Sequence, residues 1–289
     1  MVIMFNQVYS TGNTWEPQKH GIVVCIPKTT APKRPANYRP ITLLNTDYKI
    51  LARLVASRLR PILAELLHPS QHGGVHGGGI FDAVAAVRDA IEYAEKTHTS
   101  LCHISGFYGS VRQDLPHLSI QATIGTWFWR QVDCLHKEHD GQAYSCIHIN
   151  GHTTGHIPIQ CEVQHGCPLS MLLFALCLNP FLWLSDQTIT GIRISREILT
   201  AVLAYADDIT LLVTDPKDNP ALAETIRKYE KARGACFNIR KSKGMAAGSC
   251  NTTLNMMDIP YCTQMTILGF QFSSMVGQSG KSSWTRVTG

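Results

Sequence analysis

Ala204-Tyr205-Ala206-Asp207-Asp208-Ile209-Thr210-Leu211-Leu212-Val213 sets two adjacent acids between two apolar runs. Side chains alternate across a strand, so neighbouring acids inside one strand point to opposite faces. At the tip of a hairpin both reach the same region, and Val202 to Val213 reads as an apolar hairpin bent at the acids. Asp-Asp is poor turn chemistry beside Asn-Gly or Asp-Gly, and two like charges so close repel. A divalent cation is the simplest compensation, since Mg²⁺ is a hard ion held by carboxylates together with phosphates. A pair of such ions about 3.5–4 Å apart can stabilise both the attacking and the leaving oxygen of a phosphoryl transfer. The competing reading of a bare Asp-Asp is an ordinary acidic surface turn, and the rest of the chain decides between them.

Upstream of the pair, Gly21 to Pro27 is a short apolar run closed by proline and reads as a strand. Lys28 to Pro40 carries Pro32, Pro35 and Pro40 among basic residues and reads as an extended basic loop. Asp47 to Leu67 has helical spacing (Ile50, Leu51, Leu54, Val55, Leu59, Ile62, Leu63, Leu66) with Asn45, Thr46 or Asp47 as cap, and Pro61 predicts a kink or a split. His72 to Gly79 is a glycine-rich loop, Ile80 to Lys96 an amphipathic helix, and Leu101 to Ser105 a strand. Ser119 to His136 reads as helix, with Trp127-Phe128-Trp129 packing into a core rather than stacking on bases. Tyr144 to Ile149 and Ile157 to Val163 read as paired strands, with the hairpin signal Asn150-Gly151 after the first. Ser170 to Ser185 and Ala221 to Ala235 read as helices, and Thr266 to Phe272 as a last strand. No repeat, heptad run or clear linker divides the chain.

Composition narrows the class. Of 289 residues, 44% are hydrophobic and 16% charged, enough apolar material for a core and too little charge for general disorder. The net charge is only +5, but its distribution is uneven. Lys19, Lys28, Lys33, Arg34, Arg39, Lys49, Arg53, Arg58 and Arg60 are opposed in their segment by Asp47 alone. One-signed charge of this kind suits a phosphate-bearing partner, against the alternative of a solvated face. Ten cysteines in a chain of this length read as reduced thiols of the cytosol or nucleus rather than a secreted disulfide scaffold. The start shows no signal peptide. Pro168 to Leu184 is short of the ~20 apolar residues that span a bilayer and is interrupted by Asn179-Pro180, so a buried helix is expected and no membrane partner.

With the acids and their flanks in view, Tyr205-Ala206-Asp207-Asp208 resembles the YADD motif of reverse transcriptases from non-LTR, LINE-like retrotransposons. Further motifs stand in the family's order. Ile22 to Lys28 resembles the first fingers motif, and Asn37 to Asn45, followed by Tyr48-Lys49-Ile50-Leu51 and Arg58-Leu59, resembles the second. Gln71 to Val84 resembles the next block. Gly166-Cys167-Pro168-Leu169-Ser170 resembles motif B, Asn238 to Lys241 motif D, and Leu268-Gly269 the short motif after it. A lone YADD is weak; six motifs in order from Trp15 to Phe270 are specific.

The resemblance implies an α+β right-hand polymerase: fingers in residues 1–98, a palm with motifs A to D in 99–265, and the end of the palm in 266–289. The palm would be an antiparallel sheet backed by helices. The chain's length implies a missing thumb and no endonuclease, hence a partial element copy. The implied reaction is RNA-templated extension of a DNA primer by deoxynucleotide triphosphates with Mg²⁺, or Mn²⁺ in its place. By position, Asp207 and Asp208 would hold the metal, and Lys28 and Arg39 would neutralise the triphosphate. Gly166 and Pro168 would shape the turn beneath nucleotide and template. Lys241 would give a proton to the leaving pyrophosphate. Lys33, Arg34, Lys49 and Arg53 would meet nucleic-acid phosphates, and Leu268 and Gly269 would help hold the primer.

Motif A departs from the family. An Asp is expected at the end of a strand ahead of motif B, as the third metal ligand bridging the ions. Here Leu101 to Ser110 holds no acid, none lies between Glu95 and Asp114, and the expected Asp falls on Gly106 or Phe107. Gln164-His165-Gly166 lacks the Arg usual at the start of motif B, and Glu162 stands where Gly is usual. Gly74, His76 and Gly78 replace an aromatic, a Pro and often an Arg. These changes predict an impaired or inactive copy, or a non-catalytic nucleic-acid-binding remnant. A zinc site at Cys134/His136/His139, His152/His156 or Cys161/His165/Cys167 is the other chemistry weighed, and none of these has paired ligand spacing.

Overall fold

The computed structural model describes residues 2–11, 18, 20–74, 77–109, 144–158, 166–194, 199–233, 236–249 and 258–274. In chain order the elements are α1 (Val2–Thr11), β1 (His20–Pro27), β2 (Tyr38–Leu44), α2 (Thr46–Leu66), α3 (Ile80–Lys96) and β3 (Leu101–Gly109). Then come β4 (Tyr144–Ile149), β5 (His152–Thr153), β6 (Ile157–Pro158), α4 (Ser170–Thr188), β7 (Ile192–Arg193) and β8 (Leu199–Thr200). The last are β9 (Val202–Tyr205), β10 (Asp208–Val213), α5 (Asp218–Arg233), β11 (Cys236–Phe237), β12 (Lys243–Ala247), β13 (Gln264–Ile267) and β14 (Phe270–Ser273). They form two compact units, one from residues 1–65 and 113–174, the other from 66–112 and 175–289.

The first unit is built on a sheet of order β2-β1-β4-β5, with β6 also on β4. The apolar run Gly21 to Pro27 pairs antiparallel with β2, from Gly21 opposite Leu44 to Pro27 opposite Tyr38. Its other edge pairs in parallel with β4. The basic loop ends sooner than expected: a 3-10 turn over Pro35–Asn37 hands the chain to β2 at Tyr38. Asn150 and Gly151 both take positive φ, as the hairpin signal requires. The long helix runs unbroken across Pro61, so of the kink or split expected there the split does not occur. Pro61 lies on the exposed side, and so does Ser57, the carbonyl it leaves without a donor. Water can satisfy that carbonyl while Leu59 and Leu63 continue the buried stripe on the other side.

The second unit is built on a wholly antiparallel sheet of order β11-β3-β10-β9, with β12 also on β3. Both faces are buried, which is why its strands read as continuous apolar runs rather than alternating ones. On one face Leu101, Leu203, Leu212, Met245 and Ala247 pack against Val84, Val87, Ala90, Ile91 and Ala94 of α3. On the other, Cys102, Ile104, Ile209 and Leu211 are fully buried. The last predicted strand is instead a hairpin, β13 with β14, turned at Leu268-Gly269. Asn179 and Pro180 do not interrupt α4. Asn179 Nδ2 donates to the terminal carbonyl of Leu66 at 3.1 Å, and its Oδ1 accepts from His68 N at 2.7 Å, so it caps the end of α2. Among the described residues no helix is long and apolar enough to cross a membrane.

Candidate active site

The two acids do not share the tip of their hairpin. Tyr205 pairs with Asp208, leaving Ala206 and Asp207 as the turn and Asp208 as the first residue of β10. Ala206 takes φ +56°, a left-handed conformation for which glycine is the usual choice at the first turn position. Asp207 is exposed and Asp208 half-buried, next along the strand to the fully buried Ile209. Asp208 Oδ1 is shut off from solvent and has no hydrogen-bond partner among the described residues. Burial, reinforced by the charge of Asp207, pushes the Asp208 carboxyl up to about 7. A buried carboxylate beside a second one is stabilised in its charged form by a cation. The donor set therefore fits a hard divalent ion.

On the other side of β10 stands β3, with Phe107 opposite Asp208 and Gly106 opposite Ile209. Register partners share a face, so Phe107 occupies the sheet position from which a carboxylate of the neighbouring strand would reach Asp208. Gly106 belongs to the opposite face. Asp208 is thus flanked in the sheet by Tyr205 and Phe107, neither of them acidic. Asp114 lies outside the described residues.

The bend is backed by residues 70–73, which span the start of the family block at Gln71 and of the glycine-rich loop at His72 and to which the sequence reading gave no role at the acids. Gln71 forms a parallel bridge with Ala204. Ala204 N donates to Ser70 O at 2.9 Å, and His72 N donates to Ala204 O at 2.8 Å. Gln71, 3% exposed, accepts at Oε1 from Gly73 N at 2.9 Å and from Ala206 N at 3.3 Å. A Cβ on Gly73 would lie 2.2 Å from Ala206 N, so the close approach requires glycine. His72 beside them has its imidazole pKa lowered by burial, with Asp82 opposing.

A family pattern described as reverse transcriptase (RNA-dependent DNA polymerase) matches residues 26–272. The chain belongs to the reverse transcriptase family. Among the proteins it resembles are transposon and retrotransposable-element proteins. It is 33% identical over 233 residues to the Xenopus laevis transposon TX1 uncharacterized 149 kDa protein, covering 80% of this chain and 18% of that protein. It is 28% identical over 214 residues to the Drosophila melanogaster retrovirus-related Pol polyprotein from type-2 retrotransposable element R2DM, covering 73% and 20%. The domain therefore spans about a fifth of the length of these relatives. Its fold is that of a Candida tropicalis apo telomerase truncated from its C-terminal domain, with TM-score 0.54, 13% identity, and coverage of 89% of this chain and 54% of that one. A Candida albicans telomerase in complex with a fragment of telomeric RNA gives TM-score 0.54 at 12% identity, covering 94% and 47%. The expected fingers-and-palm fold is thereby established.

The remaining site residues of the reverse transcriptase domain fall into the two units. In the first, Lys28, Lys33, Arg34, Arg39 and Arg53 are exposed and Lys49 is partly so. Lys28 N donates to Asn37 O at 2.8 Å, closing the basic loop at the mouth of the β1–β2 ribbon. Gly166, at φ +112°, lies so close to Thr42 that a Cβ would stand 2.6 Å from its carbonyl oxygen. Pro168 follows, half-buried, just before α4. In the second unit, Lys241 is exposed in the loop between β11 and β12, its amide bonded to Asn238. Both strands pair with β3, so β3 stands between Lys241 and β10. Leu268 packs against the α3 core, and Gly269 is exposed in the same turn. Among the described residues no group of three or more His, Cys, Asp or Glu is placed to hold a metal. Trp127 to Trp129, Cys134, His136, His139, Cys161, Glu162 and His165 lie outside the described residues.

Proposed function

We propose that this reverse transcriptase domain binds an RNA template, a DNA primer and deoxynucleotide triphosphates, and that its primer extension is severely impaired. The observation that carries the reading is Phe107 opposite Asp208, where a strand-borne third carboxylate belongs. Asp207 and Asp208 hold Mg²⁺ or Mn²⁺ at the bend. Such an ion supplies charge neutralisation at the reacting phosphate and lowers the pKa of an attacking hydroxyl. With two neighbouring carboxylates from one hairpin, Asp207 in its turn and Asp208 at the start of β10, and none from the adjacent strand, the site fixes one ion better than two.

The other roles belong to side chains that do not depend on the missing acid. Lys28 and Arg39 neutralise the triphosphate, and Lys33, Arg34, Lys49 and Arg53 meet template and primer phosphates through charge. Gly166 and Pro168 shape the turn beneath the nucleotide. Lys241, one strand removed from the acids, carries the proton for pyrophosphate. Leu268 and Gly269 meet the primer from a turn whose leucine also serves the core. RNA as template is supported by the family's description and by the RNA-bound telomerase whose fold this chain shares.

A non-catalytic nucleic-acid-binding role is the second reading, favoured by the same Phe107 and by the exposed basic residues. One experiment separates them. The full chain is assayed for RNA-templated primer extension with Mg²⁺ or Mn²⁺, beside Phe107→Asp and beside filter binding over a salt series. Tight, salt-sensitive binding with weak extension that Phe107→Asp raises is the expected result. Binding with no extension in either protein selects the second reading. Efficient extension by the wild-type chain, equal to that of Phe107→Asp, refutes the impairment.

A further inference from the structure

We propose that Gln71 is a positioning residue for the acidic bend, its carboxamide oxygen holding the Ala206 amide so that Asp207 and Asp208 keep the geometry in which they take a divalent cation. The inference rests on the cation-binding reading above, and it goes beyond it by assigning a residue outside the hairpin.

The bend has an unfavourable backbone. An alanine in the left-handed region, followed by two repelling carboxylates, does not hold its shape from local preference. Its turn amide needs an acceptor, since an unpaired buried N–H is expensive. Gln71 Oε1 supplies it at 3.3 Å, reaching across 135 positions of sequence. The glutamine is itself fixed on three sides. Its backbone bridges Ala204, its neighbours Ser70 and His72 bond the two backbone groups of Ala204, and its oxygen is shared with Gly73 N at 2.9 Å. Gly73 then lies against the Ala206 amide at a distance no side chain would allow. Residues 70–73 therefore form a backboard for the turn, and Gln71 is its polar contact.

Only the oxygen half of the carboxamide is used. Gln71 Nε2 is buried with no partner among the described residues. Keeping a buried, unsatisfied amide nitrogen carries a cost that methionine at the same position would avoid, so the oxygen's contact is the feature that favours glutamine. Groups that orient metal-holding side chains from behind commonly matter 10–100-fold in metal affinity.

The test uses the full chain with three readouts on wild type, Gln71→Met and Gln71→Glu: exchange of the Ala206 amide by NMR, Mn²⁺ affinity by electron paramagnetic resonance, and the thermal midpoint. In the wild type the Ala206 amide is expected to be protected. In Gln71→Met its exchange accelerates roughly tenfold, as for the loss of one hydrogen bond, and Mn²⁺ affinity falls about 10–100-fold. Gln71→Glu, which keeps an accepting oxygen, retains the protection. A freely exchanging Ala206 amide in the wild type overturns the proposal whether or not the variants fold. So does unchanged exchange and Mn²⁺ affinity in a folded Gln71→Met, or equal loss of protection in the Met and Glu variants. A wild-type chain that binds no Mn²⁺ sinks the cation reading instead, and the exchange data still decide the role of Gln71.

Discussion

The acidic bend of the second unit and the basic ribbon of the first treat water in opposite ways. Asp208 sits half-buried at the end of a sheet covered on both faces, with one carboxylate oxygen cut off from solvent. Lys28, Lys33, Arg34 and Arg39 stand exposed around two strands and the loop that joins them. Charge in a dry place is strong and unforgiving, whereas charge in water is weak singly and additive in number. One residue changed at the bend therefore alters the chemistry, while the ribbon should tolerate individual losses.

The contrast breaks first, and most visibly, at Phe107. Phe107→Asp restores a carboxylate on the strand beside Asp208 and is expected to raise extension by more than about a hundredfold, because even groups that merely orient metal ligands are worth 10–100-fold. Single-turnover primer extension measures it, and a gain under twofold places the defect elsewhere. Gly166 is next, since it is where the water-facing unit demands an exact backbone fit. Gly166→Ala puts a Cβ 2.6 Å from the Thr42 carbonyl oxygen at a φ of +112°. A loss of about 1–3 kcal/mol is expected, read by chemical denaturation. An unchanged midpoint would mean that the turn adapts.

A pH series sharpens the comparison at Asp208. Its carboxyl has an ordinary value of 3.8 and is pushed up to about 7 in the folded chain. The folded state then binds more protons than the unfolded one between those values, so stability falls as pH rises through that window and levels off above it. Asp208→Asn removes this slope and leaves the protein more heat-stable than wild type at pH 8, by circular dichroism melts. Parallel curves for the two proteins would show that the buried carboxylate is already compensated. The smallest effect belongs to the ribbon. Lys33→Gln or Arg34→Gln alone should weaken RNA–DNA binding only a few-fold and reduce the salt slope by about 1 each. A single substitution that abolishes binding would show the ribbon to be as exacting as the bend.

Much of the fold was legible because local spacing and tertiary burial agreed. Ile80 to Lys96 is helical from end to end as its apolar spacing predicts. Tyr144 to Ile149 turns where Asn150-Gly151 says it should. Strand β2 was hidden because Arg39 and Pro40 break its apolar pattern, and its extended state comes from pairing with β1. The β13–β14 hairpin was hidden because leucine at positive φ is not recognisable turn chemistry. At the site, the acids announced themselves by their flanks, but which of them occupies the turn is a matter of register with Tyr205. Gly106 and Phe107 were equal candidates for the missing acid until pairing with β10 placed Phe107 on the Asp208 face. Gln71 stood out only as the first residue of a family block, and its role was hidden because its partner is distant in sequence and its contact is to a backbone amide.

The two units are interleaved along the chain, each made of two separated stretches, so no single cut separates them with both intact. On the ribosome, β1 waits for its parallel partner β4 to emerge, and β3 waits for β10 and, longer still, for β12. A premature stop before residue 174 truncates both units at once. A breakpoint anywhere inside either unit's span divides at least one of them, so recombination moves the domain undamaged only when both breakpoints lie outside it.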